Sequence, residues 1–300
     1  MQQYPTIFEE QTAHGHAIFP CAVYQIDSIP EHTEKIYCHW HHELELLLIH
    51  EGTSFLHIDN QIHSISTGDV AFIPSNAVHM VIGESNSVFR FTAVVFHPDF
   101  IKSFGNDAVM EKYLNPLFKW QFACPYVLQN SPACQKLILH IASLYQEKKS
   151  GYELFIKMNL LEICALFYHY AEPFQIHKPK CNDYQTELAK KMMLYLQQHY
   201  DEKITLSEMA THFHISKGHL CRFFKEMTNM SPFDYLNYFR ITKSTRLLHD
   251  TNLSISTIAG QTGFNNISYY NRTFRKYMHM TPGAYRKDVM VSPNEKDEKN

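Results

Sequence analysis

No pair of cysteines in this 300-residue chain is spaced as Cys-x-x-Cys. The seven cysteines stand singly at 21, 38, 124, 134, 164, 181 and 221, and an odd, scattered set argues against a disulfide framework. A reducing cytoplasm is the expected compartment. The opening residues, MQQYPTIFEEQTAHGH, lack a basic segment followed by an apolar one, so no signal peptide is expected. No apolar run approaches the roughly 20 residues a membrane span needs, so no membrane partner is expected. Also missing are a glycine-rich phosphate loop, a nucleophile elbow and a His-Glu-x-x-His helix. Their absence argues against several common enzyme classes, and the chain is expected not to be an enzyme and to carry no cofactor.

Net charge is only −3, which favours no class of partner. Its distribution is uneven. Residues 1–181 hold 11 Lys and Arg against 18 Asp and Glu, whereas residues 182–300 hold 16 against 12. A basic half beside an acidic one suggests that the second half meets an anion such as nucleic acid.

Residues 18–100 alternate short apolar runs (LELLLI, TSFLHI, DVAFIP, FRFTAVVF) with turn residues. Asp59-Asn60 is placed in a hairpin turn and Gly68-Asp69 opens another strand. Many short strands at regular spacing predict a small barrel or sandwich. Near residue 107 the pattern turns helical. Ser131-Pro132 starts a helix that ends before Gly151, and a second helix covers about 152–171. Both are apolar over wide faces, enough to cover the barrel and to form a dimer interface as well. The segment Glu172–Asp183 holds two prolines and is expected to be a linker. Beyond it the chain is helical almost to Arg286, and the charged tail SPNEKDEKN is expected to be disordered.

The helical half repeats itself. Leu206, Met209, Ala210 and Phe213 have the spacing of one short helix. After a break at His214-Ile215, Ser216 is a good N-cap for a second helix bearing Leu220, Phe223, Phe224 and Met227. The same design returns with Ile255, Ile258 and Ala259, a turn at Gly263-Phe264, then Tyr270, Thr273, Phe274 and Tyr277. Leu206 matches Ile255 and Ala210 matches Ala259; Arg222 matches Arg272 and Phe224 matches Phe274. Between the units, SPFDYLNYFRITKSTRLLHD predicts one long helix. Two helix-turn-helix units in tandem, each with arginine on its second helix and Lys217, Lys225, Arg275 or Lys276 nearby, predict a double-stranded DNA partner. Arginine can bond guanine in the major groove while neighbouring cations neutralise phosphates.

The residues ISKGHLCRFFKEMTNMSPFDYLNYFR, STRLL and ISTIAGQTGFNNISYYNRTFRKYMHMTPGAYR resemble the AraC/XylS family of bacterial transcription regulators. The resemblance covers about 186–286. It implies base-reading positions at Gly218, Cys221 and Arg222 in the first unit and at Ile267, Ser268, Asn271 and Arg272 in the second. Lys217, His219, Lys225 and Arg275 complete the expected DNA-binding set. Gly218 and Cys221 depart from the pattern, since they offer little side-chain hydrogen bonding.

The stretch HWHHELELLLIHEG raises a different possibility. On one β-strand His39, His41 and Glu45 would share a face, and two imidazoles with a carboxylate can hold a divalent metal. The pattern His39-x-His41, Glu45, Gly52, and then Gly68, Pro74 and His79, resembles the cupin-like, sugar-sensing domain often joined to this DNA-binding unit. It departs at Asn76, where metal-binding cupins usually have glycine. Three readings stand: a metal site formed by His39, His41, Glu45 and His79; a cavity in which the four bond a small organic effector, possibly a sugar; or a structural cluster. The second is preferred. The expected architecture is thus α+β. A cupin-like β-barrel with two following helices (1–171) precedes a linker (172–185), an all-α double helix-turn-helix domain (186–287) and a tail (288–300). The expected function is a ligand-responsive activator of carbohydrate-utilisation genes, with a second copy of the chain and RNA polymerase as further partners. The alternative is a metal-binding cupin sensor, or a cupin enzyme fused to a DNA-binding domain.

Overall fold

The computed structural model describes residues 14–16, 18–27, 34–58, 61–102, 107–119, 122–123, 125–176 and 183–291. The chain divides into two compact units, residues 2–186 and 187–300. No described helix is long and apolar enough to cross a membrane.

The first unit is built on two antiparallel sheets. Its strands are β1 (Cys21–Asp27), β2 (Glu34–His39), β3 (Leu44–Glu51), β4 (Thr53–Ile58), β5 (Gln61–Ser66), β6 (Val70–Ile73), β7 (His79–Ile82), β8 (Arg90–Phe96), β9 (Phe122–Ala123), β10 (Val127–Leu128) and β11 (Glu172–Ile176). One sheet has the order β1-β8-β3-β6-β10 and the other β2-β7-β4-β5. Side chains on a strand alternate between its faces, and β3 shows what each face meets. Leu47 and Ile49 lie between the sheets, in a core shared with Ile36, Leu56, Ile65, Val81 and Phe91. Leu44, Leu46 and Leu48 face the other way, onto Ile138, Ile156, Leu160, Ile163 and Phe167. Six consecutive residues of β3, Leu44 to Ile49, are therefore buried, because sheet packs on one side and helix on the other. Each fully buried leucine contributes about 1.5–3 kcal/mol.

A short π-helix (Met110–Leu114) runs into helix α1 (Asn115–Phe118). The covering helices are α2 (Pro132–Glu147) and α3 (Tyr152–Tyr170), which pack on each other. The hairpin turn expected at Asp59-Asn60 lies outside the described residues. The expected linker needs correction, because it starts with structure: β11 pairs with β9 as a two-stranded ribbon. Pro173 falls where the register shifts between Glu172 and Ile176, and proline is tolerated at such irregularities because no ladder N–H is needed there. Residues 177–182 lie outside the described set, and helix α4 (Asp183–Gln198) begins three residues before residue 186, where the helical domain was expected to start.

The second unit continues with α5 (Leu206–His212), α6 (Lys217–Thr228), α7 (Pro232–Asp250), α8 (Ile255–Gln261), α9 (Ile267–Met278) and α10 (Pro282–Val291). The last helix runs past residue 288, where the tail was expected to begin; residues 292–300 lie outside the described set.

The sequence repeat is a structural repeat down to single hydrogen bonds. The amide of Ile215 donates to Ala210 at 3.0 Å, and that of Phe264 donates to Ala259 at 2.9 Å. The preceding residues, His214 and Gly263, are both left-handed, with φ of 54° and 79°. Ser216 caps α6 by accepting from the amide of His219, and Asn266 caps α9 by accepting from that of Tyr269. Asn229 and His279 end the two helices in the same left-handed conformation. The second turn holds one extra residue, which is why matched positions are 49 apart before it and 50 apart after it. Helix α7 packs against α6, α8, α9 and α10 and joins the two helix-turn-helix repeats through one continuous element. At nineteen residues it is about 28 Å long.

Candidate functional site

Two sites follow from these folds. The first is on the second unit, where α6 and α9 each bury one face and present the other. On α9 the buried face is Tyr270, Thr273, Phe274 and Tyr277, and Ile267, Ser268, Asn271, Arg272 and Arg275 are all exposed. On α6 Leu220, Phe223, Phe224 and Met227 are buried, Lys217, Gly218, His219, Arg222 and Lys225 are exposed, and Cys221 is half-buried. A Cβ on Gly218 would meet nothing within 4 Å, so packing does not require glycine there. Lys276 is held elsewhere: its ammonium donates to the Asp234 carboxylate at 3.0 Å and ties α9 to α7.

Sequence reasoning missed Tyr269. It is partly exposed beside the expected base readers, and its hydroxyl accepts from Asn237 Nδ2 at 2.7 Å. The Arg272 guanidinium lies over its ring, 5.4 Å from the centroid. Tyr269 precedes Arg272 by three residues, on the same helix face. That spacing was the available signal; the anchor on Asn237 had none.

The second site lies between the sheets of the first unit. His39, His41 and Glu45 were expected on one strand, and this is corrected. β2 ends at His39, residues 40–43 cross from one sheet to the other, and Glu45 is the second residue of β3. The side chains still converge, because the two sheets face each other across this crossing. His79, on β7, pairs directly with His39. All four are buried, and one ligand atom from each lies within 4.8 Å of all the others. Among the described residues this is the one such group of His, Cys, Asp and Glu.

Each imidazole is held from behind. Nδ1 of His39, His41 and His79 donates to the main-chain carbonyls of Tyr37 (2.9 Å), Glu43 (3.1 Å) and Ala77 (2.9 Å). A carbonyl only accepts, so these contacts place a hydrogen on every Nδ1. The Nε2 atoms of His41 and His79 face Glu45 Oε2 at 3.2 and 3.0 Å. The ring centroids of His39 and His79 are 4.1 Å apart. Burial, with the charges of His79 and His41 alongside, lowers the His39 pKa well below its ordinary value. Burial acts to raise that of Glu45, but the contacts with His41 and His79 outweigh it and hold the carboxyl well below the usual carboxylate range.

The departure at Asn76 has a structural explanation. Asn76 is left-handed, with φ of 63°, a conformation that asparagine tolerates best after glycine. Its amide donates to the His41 carbonyl at 2.8 Å, and the Ser75 hydroxyl donates to that of His42 at 2.6 Å. The loop between β6 and β7 thus clamps the crossing that carries His41. His14 adds a further wall: its Nδ1 lies 2.9 Å from the Tyr24 hydroxyl, and its ring centroid is 5.7 Å from that of His41.

Comparison with known proteins agrees with both halves. Residues 28–164 match the AraC-like ligand binding domain, and residues 209–288 match a helix-turn-helix domain. YdeC of Bacillus subtilis, an uncharacterised HTH-type transcriptional regulator, is 30% identical over 284 residues, which cover 93% of this chain and 96% of YdeC. The HTH-type transcriptional activator RhaS of Pectobacterium carotovorum is 24% identical over 83% of this chain and 86% of its own length. A crystal structure of ToxT from Vibrio cholerae is 14% identical, covers 89% of this chain and 98% of its own, and superposes with a TM-score of 0.48. The chain belongs to the AraC family of helix-turn-helix transcriptional regulators, with a ligand-binding domain ahead of its DNA-binding helices.

Proposed function

We propose that α6 and α9 each enter a major groove of double-stranded DNA. Arg222, Arg272 and Asn271 would contact bases there, while Lys217, His219, Lys225 and Arg275 would contact the backbone. Ile267 and Ser268, at the start of α9, add apolar and hydroxyl contacts; Gly218 and Cys221 allow close approach of α6. One observation carries this reading: the two units repeat the same turn, caps and buried face, and leave the same helix face exposed. His39, His41, Glu45 and His79 are the effector site of the first unit. Activation is supported by the relative named as an activator; it would take place in the cytoplasm, with RNA polymerase as the further partner. A carbohydrate effector, with carbohydrate-utilisation genes as targets, is supported by the first-half resemblance alone.

A second copy of the chain covers α3. Its inner face buries Ile156, Leu160, Ile163 and Phe167, yet Leu154, Phe155 and Met158 are exposed on its other side, with Leu139 of α2 exposed as well. Selection of binding sites from a random-sequence DNA pool tests the DNA reading. One enriched sequence, bound more weakly by Arg272→Ala and Arg222→Ala, is the expected result; failure to enrich any sequence overturns it.

A further inference from the structure

Matched residue for residue across the repeat, the exposed faces of α6 and α9 carry different chemistry. Ser268 and Asn271 of α9 stand where α6 has Gly218 and Cys221. Ser268 lies three residues before Asn271 and four before Arg272, so the three form one patch near the start of α9. Asparagine pairs bidentately with adenine and arginine with guanine, and serine bonds either kind of base edge. Of that trio α6 keeps only the arginine, and Lys217 replaces Ile267 at its first position. Lysine is a point charge, suited to phosphate more than to one particular base.

The two arginines also differ in how they are held. Arg272 lies over the ring of Tyr269, whose hydroxyl is anchored by Asn237 of α7. Helix α9 is fastened to α7 twice more: Lys276 donates to the Asp234 carboxylate, and the Tyr277 hydroxyl donates to the Asp234 carbonyl at 3.2 Å. On α6 the place of Tyr269 is taken by His219, and its ring stacks on Phe223, 6.1 Å between centroids at 24°. Arg222 makes no hydrogen bond, ion pair or ring contact among the described residues. A guanidinium already oriented in the free protein loses less freedom on binding, and its fork matches one base edge better than another. An unheld one settles on whichever acceptor is near, base or phosphate.

We infer that the two units read DNA unequally: α9 sets the sequence, with Asn271 on an adenine and Arg272 on a guanine, while α6 is a cationic clamp on a half-site of loose sequence. There Arg222 meets base edges and phosphates without choosing strongly among them. This rests on the DNA reading proposed above and goes beyond it by naming which half of the site is read.

The test selects sites from a random DNA pool with the full chain, as wild type, Arg272→Ala, Arg222→Ala and the double variant Ser268→Gly with Asn271→Cys. The wild-type motif should hold one conserved half containing an adenine and a guanine, and a degenerate half about one helical turn, roughly 10 base pairs, away. Arg272→Ala should erase the conserved guanine and lower the ratio of selected to scrambled affinity at least about fivefold, the low end of what a bidentate pair supplies. The double variant, which gives α9 the face of α6, should lose the adenine. Arg222→Ala should keep the motif, weaken both DNAs alike, and reduce the slope of log affinity against log salt by about 1. All four positions lie on the exposed or half-exposed helix face, and circular dichroism confirms folding. If a variant fails to fold, the wild-type motif decides by itself. Two equally conserved halves overturn the inference, as does an Arg222→Ala variant whose affinity ratio falls as far as that of Arg272→Ala. Either result leaves the DNA reading standing, whereas failure to enrich any sequence removes both.

Discussion

His214 and Gly263 occupy the same place in the two helix-turn-helix units, both left-handed, yet only one of them needs to be glycine. A Cβ on Gly263 would lie 2.4 Å from the Tyr200 carbonyl oxygen and 2.8 Å from Arg240 Nε. Arg240 is itself fixed, donating to the carbonyls of Tyr200 and Glu202 at 2.6 and 2.7 Å. Gly263→Ala should therefore destabilise the second unit by more than the roughly 1–2 kcal/mol that the left-handed conformation alone costs. His214 is exposed, and His214→Gly should stabilise by about 0.5–1 kcal/mol, the conformational gain less the entropy cost of glycine. Thermal unfolding checks both; equal effects at the two positions would contradict the asymmetry.

The tandem repeat was legible because its signals are local. Apolar spacing, Ser216 as a cap and Gly263 in a turn all act within a few residues. The cluster was legible in composition but not in placement. Strand alternation put His39, His41 and Glu45 on one face of one strand, whereas they meet because the chain crosses between sheets. His79 arrives through a pairing 40 residues distant in sequence. Likewise the prolines of 172–183 marked a linker, and the β9–β11 ribbon that overrides this is a long-range pairing with no local signature.

Tyr269 should act as a positioning residue for Arg272. Its ring lies under the guanidinium, and Asn237 holds its hydroxyl from α7. An exposed cation–π contact is worth about 0.5–1 kcal/mol, so Tyr269→Ala should weaken selected DNA about two- to fivefold. Arg272→Ala should cost about 1–3 kcal/mol and relax preference at one base position. Gel-shift titration of both single variants and the double should show coupling. Strict additivity would mean that Tyr269 does not orient the arginine.

The exposed side of α3 predicts self-association. The full chain should be a dimer by light scattering at tens of micromolar, and Leu154→Glu with Met158→Glu should give monomers, because two buried carboxylates facing apolar side chains are strongly unfavourable. A monomeric wild type would remove α3 as the interface.

Asp234 makes the attachment of α9 to α7 depend on pH. Burial pushes its carboxyl up, but hydrogen bonds from the Ser231 hydroxyl and the Lys276 ammonium, with Lys225 nearby, outweigh this and lower it below its ordinary value. A carboxyl whose folded pKa is depressed contributes stability that is present above its unfolded pKa, about 3.9. That contribution is lost as pH falls through the lower, folded value. The group is half-exposed, so solvent screening keeps the effect small. Asp234→Asn should therefore melt below the wild type at pH 7, and the gap should close as pH falls below about 4. Raising salt at pH 7 should narrow the same gap by screening the pair with Lys276. A gap unchanged from pH 7 to pH 3 would mean that Asp234 stabilises α7 only as the hydrogen-bonding partner of Ser231, which asparagine can replace in part, and that its charge contributes nothing to holding α9.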